Sequence, residues 1–278
     1  MKKFLTLFSL LFAFGIILAA CGTTANEDTN TTGDNNTDTT ENTSDSLLSK
    51  VQDEGKLVIG TEGTYAPFTF HDETGELTGF DVELARAIAD RLGVEPVFME
   101  TQWDAMFAGL DAGRFDVIAN QVGIREDRLE KYDFSDHYIT SAAVLVAHED
   151  NEEVDGFEDI EGLKSAQSLT SNFADIARDN NAEIVGVDGF NQAIELMTSK
   201  RVDVTINDKL TVLDFINQRP NAPVKIVAES ENASKSGFMF RKGSKDLVEE
   251  VNRALQEIIE DGTYLQIAEK WFGEDVLN

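Results

Sequence analysis

Apolar positions along the chain follow two periodicities. Short β-branched runs alternate with segments whose apolar side chains recur every three to four residues, which predicts an α/β fold with largely parallel sheets. Leu57 to Gly60 reads as the first strand. Asp81 is expected to cap a helix in which Val82, Ala85, Ile88, Ala89 and Leu92 share one face, with Gly93 placed to end it. Trp103, Met106, Phe107 and Leu110 mark another helix that stops near Gly113.

The stretch RFDVIAN, Arg114 to Asn120, is echoed by RVDVTIN, Arg201 to Asn207. Each follows an amphipathic helix and ends in a polar cluster, so the chain is expected to contain two similarly built α/β lobes. Ligands of open α/β sheets bind beyond the carboxyl ends of strands, and this places Asn120, Gln121, Val122, Gly123, Asn207 and Asp208 on a common cleft.

The N-terminal residues have a different pattern. Lys2 and Lys3 precede an apolar run from Phe4 to Leu18 that is too short to span a membrane comfortably, the signature of a secretion signal over residues 1–20. Leu18, Ala19, Ala20 and Cys21 resemble a bacterial lipobox, which implies cleavage before Cys21 and acylation of its sulfur. Cys21 is the chain's one cysteine, so no internal disulfide is possible and the lipid anchor accounts for the thiol. Residues 21–46 carry almost no large apolar side chain and are expected to form a disordered tether with a reach on the order of 28 Å. Together these features resemble those of Gram-positive lipoproteins and imply attachment to the extracytoplasmic face of the cell membrane.

The formal charge of −29 argues against nucleic acid or anionic lipid as a partner. His71, His137 and His148 are scattered, with neither an HExxH spacing nor a cysteine partner, so no metal is expected. There is no GxGxxG or Walker loop, and no cofactor is expected.

The cleft chemistry is that of a zwitterion site. GIREDRLEKYDFSDHY, Gly123 to Tyr138, supplies cations after the first polar edge, and Asp208 supplies an anion after the second. An arginine fork holds a carboxylate through two parallel hydrogen bonds, and an aspartate holds an ammonium group. Thr170, Ser171 and Asn172 precede a short helix in which Phe173, Ile176 and Ala177 lie together. That helix start serves either as an ordinary N-cap or as an anion site with the Ser171 hydroxyl as a further donor. Arg125 is expected to form a surface ion pair with Glu126 or Asp127.

Several segments in combination resemble the amino-acid-binding proteins of ABC transporters: GTEGTYAPFTF from Gly60, LTGFDVELARAIADRLG from Leu77, QWDAMFAGLDAGRFDVIANQV from Gln102, KYDFSDHY from Lys131, RKGS from Arg241 and KWFGEDV from Lys270. The resemblance implies the type II periplasmic-binding-protein-like fold, two α/β lobes joined by two crossover strands near Ala142 to Val146 and Ser236 to Phe240. Lobe one is expected over residues 47–141 and 241–278, and lobe two over 142–240. The resemblance further implies that Arg128 binds the ligand carboxylate with Ser171 across the cleft, and that Asp208 binds the ammonium group. Tyr65, Phe68 and Trp103 fall where the family lines its pocket with aromatic rings, although Phe68 is equally suited to the core.

TEGTY, NQV and QWDAM most resemble the cystine-binding members. Cystine carries an amino-acid head at each end, so the resemblance implies that Glu62, Asn120 and Gln121 serve the far head. It also implies a monomeric, non-catalytic protein that hands its cargo to a membrane permease driven by a separate ATPase. Two other classes are compatible with the same clamshell: an exported dehydratase-like enzyme with Glu62 as acid or base, and an amino-acid sensor module.

Overall fold

The computed structural model describes residues 46–278; the signal segment, Cys21 and the expected tether up to residue 45 lie outside the described residues. Helix α1 (Leu47–Glu54) opens on Ser46, whose hydroxyl accepts from the Ser49 N–H at 3.1 Å. Strand β1 (Lys56–Thr61) follows and leads into a small sheet of β2 (Thr64–Tyr65), β3 (Thr69–His71) and β4 (Leu77–Thr78).

Helix α2 (Phe80–Leu92) buries Val82, Ala85, Ile88 and Ala89, the face expected from their spacing. Its cap is Gly79, not Asp81. Gly79 has φ 124°, and a Cβ there would lie 2.3 Å from the Phe68 carbonyl oxygen, so the chain turns into the helix two residues early. Asp81 is thereby carried into the interior. Gly93 ends the helix as expected, at φ 72°.

Strand β5 (Glu95–Glu100), helix α3 (Trp103–Asp111), strand β6 (Val117–Ile118) and the short helix α4 (Glu126–Leu129) complete the first run of elements. The long strand β7 (Tyr132–His148) then leaves for the second lobe. That lobe consists of β8 (Lys164–Gln167), α5 (Asn172–Asp179), β9 (Glu183–Gly186), α6 (Phe190–Thr198), β10 (Val204–Asp208) and α7 (Lys209–Gln218). A second long strand, β11 (Val224–Arg241), returns to α8 (Lys245–Glu260) and α9 (Thr263–Phe272).

One eight-stranded sheet runs through both lobes in the order β5-β1-β6-β11-β7-β10-β8-β9. The order is the same when read inward from either edge. In one half β1 lies parallel between β5 and β6, and in the other β8 lies parallel between β9 and β10. The two RxDV segments occupy matching places. Asp116 N–H donates to the Val58 carbonyl while its carboxylate accepts from Val58 N–H, at 2.8 and 3.1 Å. Asp203 makes the same pair of contacts with Lys164, at 2.9 and 2.8 Å. The sequence echo is therefore a repeated β-α-β-α-β unit.

β7 and β11 pair with each other along most of their length and form the two crossovers. Ala143 to Ala147 of β7 pair with β10, whereas Met239 and Phe240 of β11 pair with β6. The expected boundary at 240 thus falls inside first-lobe pairing, and the second crossover lies nearer the N-terminal part of β11. Phe68, Phe80, Tyr138, Phe238 and Tyr264 form the aromatic centre of the first lobe's core.

Candidate functional site

The carboxyl ends of β1, β6, β8 and β10 converge on a cavity with walls from both lobes. From the first lobe it is lined by Glu62, Tyr65, Trp103 and Gln121. The second lobe contributes Gln167, Ser168, Ser171, Asn172, Phe173 and Asn207.

Glu62 follows β1 directly and is held by Asn120, which donates Nδ2–H to Glu62 Oε2 at 2.7 Å and accepts the Glu62 N–H at 2.8 Å. Burial pushes the Glu62 carboxyl up to about 7, with Asp104 adding to the rise and Asn120 and the Trp103 N–H opposing it. Asn120 itself is buried behind Glu62 and does not line the cavity.

Tyr65 is the first lobe's cross-cleft contact at the sheet ends. Its hydroxyl donates to Asn207 Oδ1 at 2.8 Å, with Gln121 Oε1 at 3.1 Å as a second acceptor. Phe68 stands behind it, fully buried, its ring stacked 5.5 Å from the Tyr65 ring and edge-on to Phe80. Of its two expected positions Phe68 takes the core one, because Tyr65 covers it. Val122 is likewise a core residue, packed with Trp103, Met106 and Met239.

Arg128 and Asp208 are buried and are not among the residues lining the cavity. The Arg128 guanidinium donates to the Gly123 carbonyl at 3.0 Å and is covered by the rings of Trp103 and Phe107, at 5.5 and 5.4 Å. Gly123 thus acts through its carbonyl and not as a lining residue. Arg128 makes no ion pair among the described residues, and burial together with the neighbouring Arg125 charge lowers its pKa to about 10. The charges of Asp127 and of Asp175 on α5 oppose that fall. Asp208 caps α7, accepting from Leu210 N–H at 2.9 Å. Burial pushes its carboxyl up to about 6, while Gln121 and the backbone of Leu210 favour the anion. Gln121 belongs to the first lobe, so Asp208 faces the gap between lobes.

Ser171 is the N-cap of α5, its Oγ accepting from Ala174 N–H at 3.1 Å, and at the same time lines the cavity. The hydroxyl proton stays available to an acceptor in the cleft. Arg125 pairs with Asp127 as expected, at 2.9 Å, and also with Asp175 of the second lobe at 2.8 Å. Asp104 was not anticipated as a contact. It accepts from Leu169 N–H, Thr170 N–H and Thr170 Oγ–H at 3.1, 3.0 and 2.7 Å. Asn191 Nδ2 donates to the Thr64 carbonyl at 3.1 Å. The lobes are closed on one another.

Phe190 on α6, like Gln167 and Ser168, lines the cavity without having been expected there. The echo contained the signal: Trp103 precedes Asp116 by 13 residues and Phe190 precedes Asp203 by 13, so the two aromatic rings begin equivalent helices.

Residues 57–274 match the model of the bacterial extracellular solute-binding proteins, family 3. The L-cystine-binding protein TcyA of Bacillus subtilis (strain 168) is 48% identical over 261 residues, covering 93% of each chain. The unliganded, open L-cystine solute receptor of Neisseria gonorrhoeae is 47% identical over 84% of this chain and 99% of its own, with a TM-score of 0.56. An ancestral arginine-binding protein bound to arginine is only 38% identical over 78% of this chain and 98% of its own, yet superposes with a TM-score of 0.75. The nearer sequence superposes less well as one rigid body, the result expected when one clamshell is open and the other shut. Fold, cleft position and family match agree: the chain belongs to the bacterial extracellular solute-binding proteins, family 3.

Proposed function

We propose that the protein captures a polar amino acid, L-cystine, outside the cytoplasm by closing its two lobes, and delivers it to the permease of an ABC importer with a separate ATPase. The observation that carries this reading is a cavity walled from both lobes, lined by the Glu62 carboxyl, the rings of Tyr65 and Trp103, and the start of α5 at Ser171. The cystine-binding relatives supply the ligand's identity.

In this reading Arg128 forks the α-carboxylate with Ser171 Oγ–H, and Asp208 holds the ammonium group. Arg128 uses one donor on Gly123, which leaves others for a carboxylate. Tyr65, Trp103 and Phe173 form the apolar walls around the disulfide-bearing middle of the ligand. Glu62, oriented by Asn120, takes the second ammonium group, and Gln121 contributes an amide. Because Ser171 and Asp208 come from the second lobe, their contacts exist only in the closed form, and this differential affinity drives closure.

We assign lobe one to residues 47–141 and the chain from Met239 onward, with the hinge in the preceding part of β11 and the adjoining part of β7. Attachment to the membrane runs through acylated Cys21 and the tether beyond it. A thermal-shift panel of all amino acids plus L-cystine tests the function. L-Cystine is expected to raise Tm most, by an amount that grows with ligand concentration. A flat panel would refute amino-acid capture.

A further inference from the structure

Asp81 is the buried acid that the cleft contacts do not use. It is the second residue of α2, fully buried, and makes no ion pair among the described residues. Its Oδ2 accepts from Gln121 N–H at 2.5 Å and from Tyr138 Oη–H at 2.9 Å, and its Oδ1 has no hydrogen-bond partner among the described residues. The α2 N-terminus offsets part of the charge. Even so, a carboxylate without a cation in a hydrophobic core is a costly residue where an apolar pair would serve packing alone.

Its two partners lead to the cleft and to the crossovers. Gln121 has φ 48°, a left-handed conformation that L side chains rarely adopt. Among the described residues the other non-glycine positions of this kind, Asn181 and Lys200, lie in the turns after α5 and α6. Gln121 instead lies between β6 and α4, its Oε1 3.1 Å from the Tyr65 hydroxyl and its side chain in reach of Asp208. Tyr138 sits on β7, its ring 4.6 Å from Phe238 of β11. Its carbonyl accepts from Tyr264 Oη–H at 2.8 Å.

We propose that Asp81 is a positioning residue for ligand recognition: by holding the Gln121 N–H against the crossover-strand hydroxyl of Tyr138, it fixes the left-handed backbone that points the Gln121 amide at Tyr65 and Asp208. A right-handed Gln121 would turn its side chain away from both. Burial raises the Asp81 carboxyl to about 7, and in its ionised form it holds the two donors more strongly than a neutral acceptor does. This inference rests on the amino-acid-capture reading for its ligand.

The test is a double-mutant cycle read by calorimetric titration of the full chain with L-cystine. Asp81→Asn keeps shape and one acceptor, and is expected to unfold cooperatively while binding about tenfold more weakly. Gln121→Gly relieves the backbone strain and removes the amide; it is expected to bind similarly weakly while raising Tm. The double variant is expected to bind no more weakly than Gln121→Gly alone, since Asp81 acts through Gln121. Asp81→Asn binding within twofold of wild type, or two losses that multiply, would overturn the proposal. If wild type binds no amino acid, the capture reading fails by itself. The crystal structure of Asp81→Asn then decides: Gln121 leaving the left-handed region supports the positioning role, and Gln121 staying near its present φ refutes it.

Discussion

The Asp104 carboxylate, on the first turn of α3, takes three hydrogen bonds from Leu169 and Thr170 of the opposite lobe, the shortest from the Thr170 hydroxyl at 2.7 Å. None of these bonds involves ligand, so part of the closed state's stability is built into the protein. Closure then requires less from ligand contacts, and the released cargo must await breakage of this clasp. Asp104→Ala is expected to weaken ligand binding about tenfold, close to 1.4 kcal/mol. Most of the change should appear as faster dissociation, which stopped-flow fluorescence of Trp103 resolves. An unchanged dissociation rate would remove Asp104 from the clasp.

Arg128 and Arg125 separate two kinds of cation. Arg128 is buried against aromatic rings with donors to offer, whereas Arg125 is part-exposed and already paired with Asp127 and Asp175. Arg128→Ala is expected to cost about 2–5 kcal/mol of binding, since the ligand carboxylate is left buried without its partner. Arg125→Ala should cost about 1 kcal/mol or less, and less still at high salt. Titration calorimetry of both variants checks the contrast, and equal losses would reverse the assignment.

Much of this arrangement was legible in the residues. The repeated RxDV segment is the same strand in each half, and Gly93 ends its helix at positive φ. An acid at a helix start has the composition of a cap, so Asp81 reads as one in the sequence; only the close approach of Gly79 to Phe68 moves the cap two residues earlier. Phe68 was undecided because covering by Tyr65 is a tertiary fact. The Asp104 clasp was invisible for a similar reason. Its donors lie 65 and 66 residues away, and two of the three are backbone N–H groups that carry no mark in the sequence.

The cleft acids give opposite pH dependences for the free and the bound protein. Glu62 at about 7 and Asp208 at about 6 lie above their unfolded values, so between about 4.5 and 7 the folded chain holds protons that the unfolded chain releases. Their contribution to stability therefore falls as pH rises through that window. An ammonium ligand favours the ionised carboxyls, so its affinity rises over the same window. Differential scanning fluorimetry from pH 5 to 8 is expected to show the ligand-induced shift in Tm growing with pH. Glu62→Gln should flatten that growth; a shift that shrinks with pH would contradict the ammonium role of these acids.

Attachment through Cys21 predicts detergent-phase partitioning of the wild-type chain expressed in its bacterial host. Cys21→Ala should move the protein to the aqueous phase with ligand binding unchanged, because the residues that line the cavity run from Glu62 to Asn207. Aqueous partitioning of wild type would exclude the lipid anchor.

The measurement closest to the central claim is calorimetric titration of the purified wild-type protein with L-cystine at neutral pH. Saturable binding at one ligand per chain, lost in Arg128→Ala and in Asp208→Ala, is the predicted result. No heat from L-cystine or any other amino acid, or binding that survives both substitutions, would contradict it.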